Sequence, residues 1–282
     1  MKFNPILTVL STPLLVFLTY VSVCAFQSEV FPSEVNPGDA FVLKIMNVKT
    51  SQLPAAFFNN SPLYFSGCGE NCFVAIGAVG IETEPGVHTI HVVVDDRRGD
   101  LNLNVMSTTF PEISLTLPEE KVFLSPEDLK RAKMEEERLE SIWQIVSDRL
   151  WEGSFMLPLE NDISTSFGVK RIINQKKISV HRGVDIRGKD GEKVKASNRG
   201  RVILAEELFF GGNTIILDHG QGIFTVYMHL SEFNVKIGSI VSKGDIIGFV
   251  GSSGRTSGSH LHFGVKIQNI NTNPVSLAEL NL

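Results

Sequence analysis

Across residues 28–117 the apolar positions come in short runs, either alternating with polar residues or rich in β-branched ones. Phe41-Val42-Leu43-Lys44-Ile45, Phe73-Val74-Ala75-Ile76, His88 to Val94 and Leu101 to Val105 each read as a strand. Between them stand Asn36-Pro37-Gly38-Asp39, Glu84-Pro85-Gly86 and Arg98-Gly99-Asp100, residue types that supply turn dihedrals. Short strands at this spacing predict a small β-sandwich, immunoglobulin-like in type, over 28–117. The period changes in 118–152, a linker carrying a helix. Ser125-Pro126-Glu127-Asp128 is a helix start, with a capping hydroxyl, proline at the first helical position and acidic side chains at the positive end of the dipole. Leu139, Ile142, Trp143, Val146 and Leu150 then fall three and four apart in one apolar stripe, while Glu135, Glu136, Glu137 and Arg138 read as a solvated face. A stripe of this kind predicts that the helix packs on a domain and sets the geometry between two of them, or else docks a partner protein.

From residue 153 to 282 the pattern is β again. Gly200 to Ala205, Asn213 to Asp218, Ile223 to Met228 and Gly244 to Val250 are strands punctuated by glycine. About 130 residues of this sort bury a sizeable core. The chain is thus expected to be mostly β: a small sandwich, a connecting α-helix and a C-terminal β domain.

Composition changes this picture in few places. With 43% hydrophobic and 20% charged residues, the chain is that of an ordinary globular protein, and disorder is not expected. A formal charge of −5 gives no basis for nucleic-acid binding or a polybasic membrane patch. Residues 1–25 differ: Lys2 precedes an apolar stretch from Ile6 to Ala25 that Pro13 interrupts and Val23-Cys24-Ala25 ends. That arrangement suits a cleaved signal peptide, leaving no membrane span in the mature form and placing it in the periplasm or cell envelope. A retained anchor is the alternative. Without Cys24 only Cys68 and Cys72 remain, and in an oxidising compartment such a close pair is expected to form a disulfide.

The chemistry concentrates in the C-terminal domain. His181-Arg182-Gly183-Val184-Asp185 holds an imidazole and a carboxylate that an extended strand would separate by roughly 13 Å. A bend or bulge at Gly183 brings them together. His260 and His262, two apart, share one face of a strand, with Leu261 and Phe263 turned to the core. Both histidines, or one of them, can ligate a metal. His229 follows an apolar run and is expected near a strand end. Imidazole and carboxylate are what zinc accepts in catalytic sites that keep one position open for water. Histidines left over can carry protons near neutral pH. His88 and His91, three apart in a strand, point to opposite faces and read as ordinary strand residues; His219, in its Asp-His-Gly turn, is taken as structural.

The order His-x-Gly-x-Asp, Tyr-x-His-Leu, His-Leu-His-Phe resembles the zinc metallopeptidases of the lysostaphin and LytM type. Thr165-Ser166-Phe167-Gly168, Gly212 to Gly220 and Gly248 to Gly254 match as well, so that the likeness runs from about Phe155 to Pro274. The resemblance implies a mostly antiparallel β domain with an open groove, one Zn²⁺ per chain, and hydrolysis of peptide cross-links in bacterial peptidoglycan. It implies His181, Asp185 and His262 as zinc ligands, with His229 and His260 as the catalytic pair that does not ligate. Some relatives of this type have lost the metal site and activate other wall hydrolases through protein contact. That is the alternative reading, and it brings envelope proteins in as partners. The chain ends soon after Asn273-Pro274, so no separate C-terminal wall-binding module is expected.

Overall fold

The computed structural model describes residues 26–50, 52–116, 124–175 and 177–282. The expected signal segment 1–25, with Cys24, lies outside the described residues. Among those described, no helix is long and apolar enough to cross a membrane.

The chain is mostly β, as its periodicity indicates. Toward the N-terminus, one sheet runs Gln27–Phe31, Ala40–Met46, Cys72–Ala78, Ser66–Gly69 and a second runs Glu34–Val35, Arg97–Val105, Gly86–Val94, Ala55–Phe58, Ser61–Leu63. Phe41, Leu43 and Ile45 of the first sheet share a core with Phe58, Ile90 and Leu103 of the second. The near-continuous apolar run of Ala40–Met46 now has a cause. Its alternate residues Ala40 and Val42, with Val74, Ile76 and Ala78 beside them, face outward into a second core shared with Trp151, Phe155, Val265, Ile267 and Leu277. A strand buried on both faces has no polar side to alternate with. Cys68 and Cys72 are disulfide-bonded at the turn between their strands.

The helix spans Pro126–Trp143, and the Ser125 hydroxyl accepts the Asp128 N–H at its start. Its stripe is shorter than the spacing suggests: the helix ends at Trp143, and Val146 beyond it is exposed. Leu139, Ile142 and Trp143 pack on Leu204, Leu208, Ile216, Phe224 and Val226 of the C-terminal sheet. Glu135, expected among the solvated residues, instead accepts the Phe209 N–H at 2.8 Å and pairs with Arg131. The junction with the N-terminal sheets is carried by the segment after the helix rather than by the helix itself. Arg149 stacks on Trp151 at 3.6 Å and donates to the Gly67 carbonyl, and Gln221 joins Trp151 Nε1–H to the Tyr64 carbonyl.

The C-terminal part is built on one large antiparallel sheet. Its main path is Ile163–Thr165, Val184–Arg187, His260–Ile267, Ile223–Phe233, Gly212–Asp218, Gly200–Leu208, Ile240–Val241. Leu261, Phe263, Val265 and Tyr227 face the larger core; the opposite face carries Val226 and the helix, along with His260 and His262. A smaller sheet joins Glu112–Leu115, parallel, to Lys170–Ile173, which pairs antiparallel with Lys177–Val180. That last strand delivers the chain to His181.

Candidate metal centre

His181 leaves Lys177–Val180 with its N–H bonded to the Val169 carbonyl and its own carbonyl accepting from Gly168, both at 2.9 Å. Three residues later the chain enters Val184–Arg187, where Asp185 lies directly opposite His262. Side chains of directly opposed residues project from the same face, which sets this carboxylate against this imidazole. Gly183 makes the approach possible. A Cβ there would lie 2.5 Å from the Phe263 carbonyl oxygen and 2.8 Å from His262 Nε2. Its backbone does not enter the left-handed region, so it is close approach, and not unusual dihedrals, that requires glycine.

Three donor atoms converge. His181 Nε2 is 2.9 Å from Asp185 Oδ1 and 3.0 Å from His262 Nδ1, and His262 Nδ1 is 2.8 Å from Asp185 Oδ1. Ligands held about 2.0–2.1 Å from a tetrahedral zinc stand roughly 3.3 Å apart, so a few tenths of an ångström of expansion admits the ion. Two imidazoles and a carboxylate are also the correct donor types, and these three form a group of metal-ligand residues within 4.8 Å of one another. The surroundings orient them. His181 Nδ1 donates to the Ser166 carbonyl at 2.9 Å, which turns its Nε2 lone pair toward the cluster. Arg171 holds Asp185 Oδ2 at 3.3 Å and leaves Oδ1 to the histidines. Burial raises the Asp185 carboxyl, but its close contacts with the His181 and His262 imidazoles outweigh burial and hold the group well below the usual carboxylate range.

His229 and His260 stand beside this cluster. His229 sits within the strand Ile223–Phe233 rather than near its end, with φ of 64°. Here the strand changes partners: Met228 pairs with His262, whereas Leu230 pairs with Val250. That bulge aims a side chain out of the regular alternation. The His229 N–H reaches the Gly211 carbonyl at 2.8 Å, and Nδ1 donates to the Ser253 carbonyl at 2.9 Å. His260 Nδ1 lies 2.9 Å from the Gly258 carbonyl, and its Nε2 is 3.6 Å from Asp185 Oδ1. The two rings are 4.9 Å apart. In both, the Nδ1 contact leaves Nε2 as the basic nitrogen. Burial lowers the His229 pKa to about 4, which keeps that ring neutral at pH 7, and burial also lowers that of His262. A cleft of about 1120 Å³ opens from Asp185 and His260 toward Asp162, Lys189 and Ser259.

The remaining histidines lie elsewhere. His219 is fully buried between the Arg199 carbonyl and the Thr225 hydroxyl, and burial lowers it to about 4. His91 pairs with Asp100 on the surface, and His88 bonds the Glu84 carbonyl. Arg171, Ser166 and Ser253 were not singled out individually by the sequence. Ser166 and Ser253 lie in stretches that carry the resemblance, but nothing in their spacing marks a carbonyl that fixes a tautomer.

Residues 179–274 match the profile of Peptidase family M23. The chain is 37% identical over 116 residues to the DD-carboxypeptidase/endopeptidase Mpg of Neisseria meningitidis, covering 41% of this chain and 27% of that protein. It is 33% identical to the peptidoglycan DD-endopeptidase ShyA of Vibrio cholerae, over 43% of this chain and 27% of the relative. It is 43% identical to lysostaphin of Staphylococcus staphylolyticus, over 30% of this chain and 18% of the relative. The chain therefore spans about a quarter or less of the length of these relatives. A crystal structure from Pseudomonas aeruginosa assigned to peptidase M23 aligns over 86% of this chain and 93% of its own, with TM-score 0.66 and 26% identity. Through residues 179–274 the chain carries a peptidase family M23 domain of the lysostaphin and LytM type.

Proposed function

We propose that the protein is an exported zinc-dependent endopeptidase that hydrolyses peptide cross-links of bacterial peptidoglycan. The convergence of His181 Nε2, Asp185 Oδ1 and His262 Nδ1 within 3.0 Å of one another, beside two further histidines, is the observation that carries this reading. The names of Mpg, ShyA and lysostaphin support the substrate class. The apolar stretch before Phe26 and the Cys68–Cys72 bond support export. Zinc, when bound, supplies Lewis-acid polarisation of the scissile carbonyl and a water acidic enough to attack at neutral pH. His181, Asp185 and His262 would hold it, with Arg171 and the Ser166 carbonyl fixing their orientation. His229 and His260 form the proton-handling pair. One accepts a proton from the attacking water at Nε2 and returns it to the leaving amine, a function typically worth about 10² to 10⁴ in rate. The other, protonated, offsets charge on the tetrahedral oxyanion.

The test is zinc content together with digestion of purified sacculi. Alanine at His181, Asp185 or His262 is expected to abolish zinc retention, and alanine at His229 or His260 to keep zinc and lose turnover. Full activity of His229→Ala would undo the assignment. A non-hydrolytic regulatory role is disfavoured because all five side chains are present and gathered in one place.

A further inference from the structure

Two orienting contacts of the candidate centre come from one short stretch, 166–171. The Ser166 carbonyl fixes His181, and Arg171 fixes Asp185. Its own domain holds this stretch only in part. Gly168 and Val169 exchange backbone bonds with His181, and Lys170–Ile173 forms a hairpin with Lys177–Val180. A hairpin of two such short strands is marginal in water by itself. Here a third strand completes it: Glu112–Leu115, which comes from the N-terminal side of the helix and pairs with Lys170–Ile173 along its other edge. The Lys170 N–H donates to the Pro111 carbonyl at 2.9 Å. Ile113 lies directly opposite Arg171 in this pairing, and so on the same face of the small sheet.

Two rings close on the turn that opens the stretch. Phe110 covers Gly168, where a Cβ would collide with the Phe110 ring at Cδ1. Phe167 is buried and sits on Gly38 of the N-terminal sandwich, where a Cβ would collide with the Phe167 ring at Cε1. It shares that core with Ala40, Val42 and Ile76 of the sandwich. The seat is itself tied down: the Gly38 carbonyl accepts the Asn273 N–H at 2.7 Å, and Asp39 Oδ1 accepts the Asn273 side-chain amide at 2.9 Å. Packed rings resist movement of the turn, because a displaced ring loses contacts that nothing replaces. The donor atoms of the cluster stand 2.8–3.0 Å apart, so even a small shift of the stretch that orients them changes the fit to an ion. Gly38, Phe110 and Glu112–Leu115 all precede the helix and lie outside 179–274.

We propose that the N-terminal sandwich and the strand Glu112–Leu115 are a positioning element of the candidate metal centre: Phe110 and the Gly38 seat of Phe167 hold the stretch 166–171 where Ser166 orients His181 and Arg171 orients Asp185. Affinity for the ion and docking of the sandwich are then coupled, and by linkage each strengthens the other by the same factor. This role rests on the zinc reading of the cluster and not on its substrate. The test uses the full chain with Phe110→Ala, Phe110→Leu and Gln221→Ala. Gly38 and Gly168 both have left-handed φ, so the rings are varied instead of the glycines. Zinc affinity is read by competition with a chromophoric chelator, and stability of the zinc-free chain by urea denaturation. Solvent exchange of the His181 Nδ1–H is read by proton–nitrogen NMR, also without zinc. Phe110→Ala is expected to weaken zinc binding about tenfold, as for loss of an outer contact, and to speed that exchange. Phe110→Leu should restore most of both. Gln221→Ala loosens the same junction at Tyr64, away from the stretch, and should lower stability with zinc affinity unchanged. A Phe110→Ala protein with the zinc affinity of the parent overturns the positioning role, and so does an equal loss in Gln221→Ala. Should Phe110→Ala not fold, the unmodified chain decides. Zinc is expected to slow exchange of the Lys170 N–H, bonded to Pro111, about tenfold more than that of the Val48 N–H beyond the far end of strand Ala40–Met46. Equal slowing at the two amides overturns the coupling. A parent chain that binds no zinc defeats the zinc reading, and His181 Nδ1–H exchange then decides alone: faster in Phe110→Ala, the positioning role stands; unchanged, it falls.

Discussion

Gly183→Ala isolates the contact on which the candidate metal centre depends. The added Cβ would lie 2.5 Å from the Phe263 carbonyl oxygen and 2.8 Å from His262 Nε2. Ordinary C···O contacts are about 3.3 Å or more, so the segment carrying His181 and Asp185 must separate from strand His260–Ile267 by roughly 0.8 Å. Neither neighbour is a flexible chain end: one is backbone within a paired strand and the other a ring held by Asp185. Overpacking of this kind costs about 1–3 kcal/mol. The displacement also spoils the donor triangle, and an affinity loss of about 10- to 100-fold is expected, as for disturbed ligand orientation. Two measurements bear on this. Urea denaturation with chelator reports the packing cost alone. The extra stability from added zinc, set against a chromophoric competitor, reports affinity and should shrink by about 1.4–2.7 kcal/mol. Gly191→Ala is the control: its φ is +80° but nothing lies within 4 Å of a Cβ there, so it should carry about 1–2 kcal/mol of backbone strain and leave zinc affinity alone. A Gly183→Ala protein with the stability and zinc affinity of the parent would refute the reasoning.

Three further outcomes are expected. Arg171→Gln leaves Asp185 Oδ2 without its 3.3 Å partner and should weaken zinc binding about 10- to 100-fold, measured by competition, with an unchanged affinity counting against the orienting role. His219 has a folded pKa of about 4 against about 6.5 in the unfolded chain, so the unfolded state binds the proton first as pH falls. Its contribution is present in full above about pH 6.5 and is lost progressively down to about 4, roughly 3 kcal/mol in all. Denaturation midpoints at pH 7 and 5 should therefore differ less in His219→Gln than in the parent, and an identical slope would rule this out. Gln221→Ala deprives Trp151 Nε1–H and the Tyr64 carbonyl of their common partner, and should cost about 1–3 kcal/mol in the same denaturation assay.

The five side chains of the candidate centre were legible in the chain itself, although their division into ligands and proton carriers came only with the resemblance. His181, Asp185, His229, His260 and His262 come from stretches up to 81 residues apart, yet the structure gathers all five. Period-two alternation is local, and it already places His260 and His262 on one face with Leu261 and Phe263 on the other. The helix start was equally local, because a capping hydroxyl, proline and an acidic turn are properties of four adjacent residues. Where the helix stopped was not local. Val146 continues the apolar spacing, but burial ends with Trp143 on Phe224, and the chain turns away to join the two β units through Trp151 and Gln221.

Pairing decided the rest. The left-handed φ of His229 follows from a strand that exchanges one partner for another, an event between strands that no spacing within one strand records. The same is true of Arg171 on Asp185, the Ser166 and Ser253 carbonyls on their imidazoles, and the placement of the helix on the face that carries the candidate metal centre. Sequence pattern determines which side chains share a face, because that depends on backbone geometry over a few residues. Which faces meet depends on the register of strands distant in the chain, and only the assembled sheet sets it.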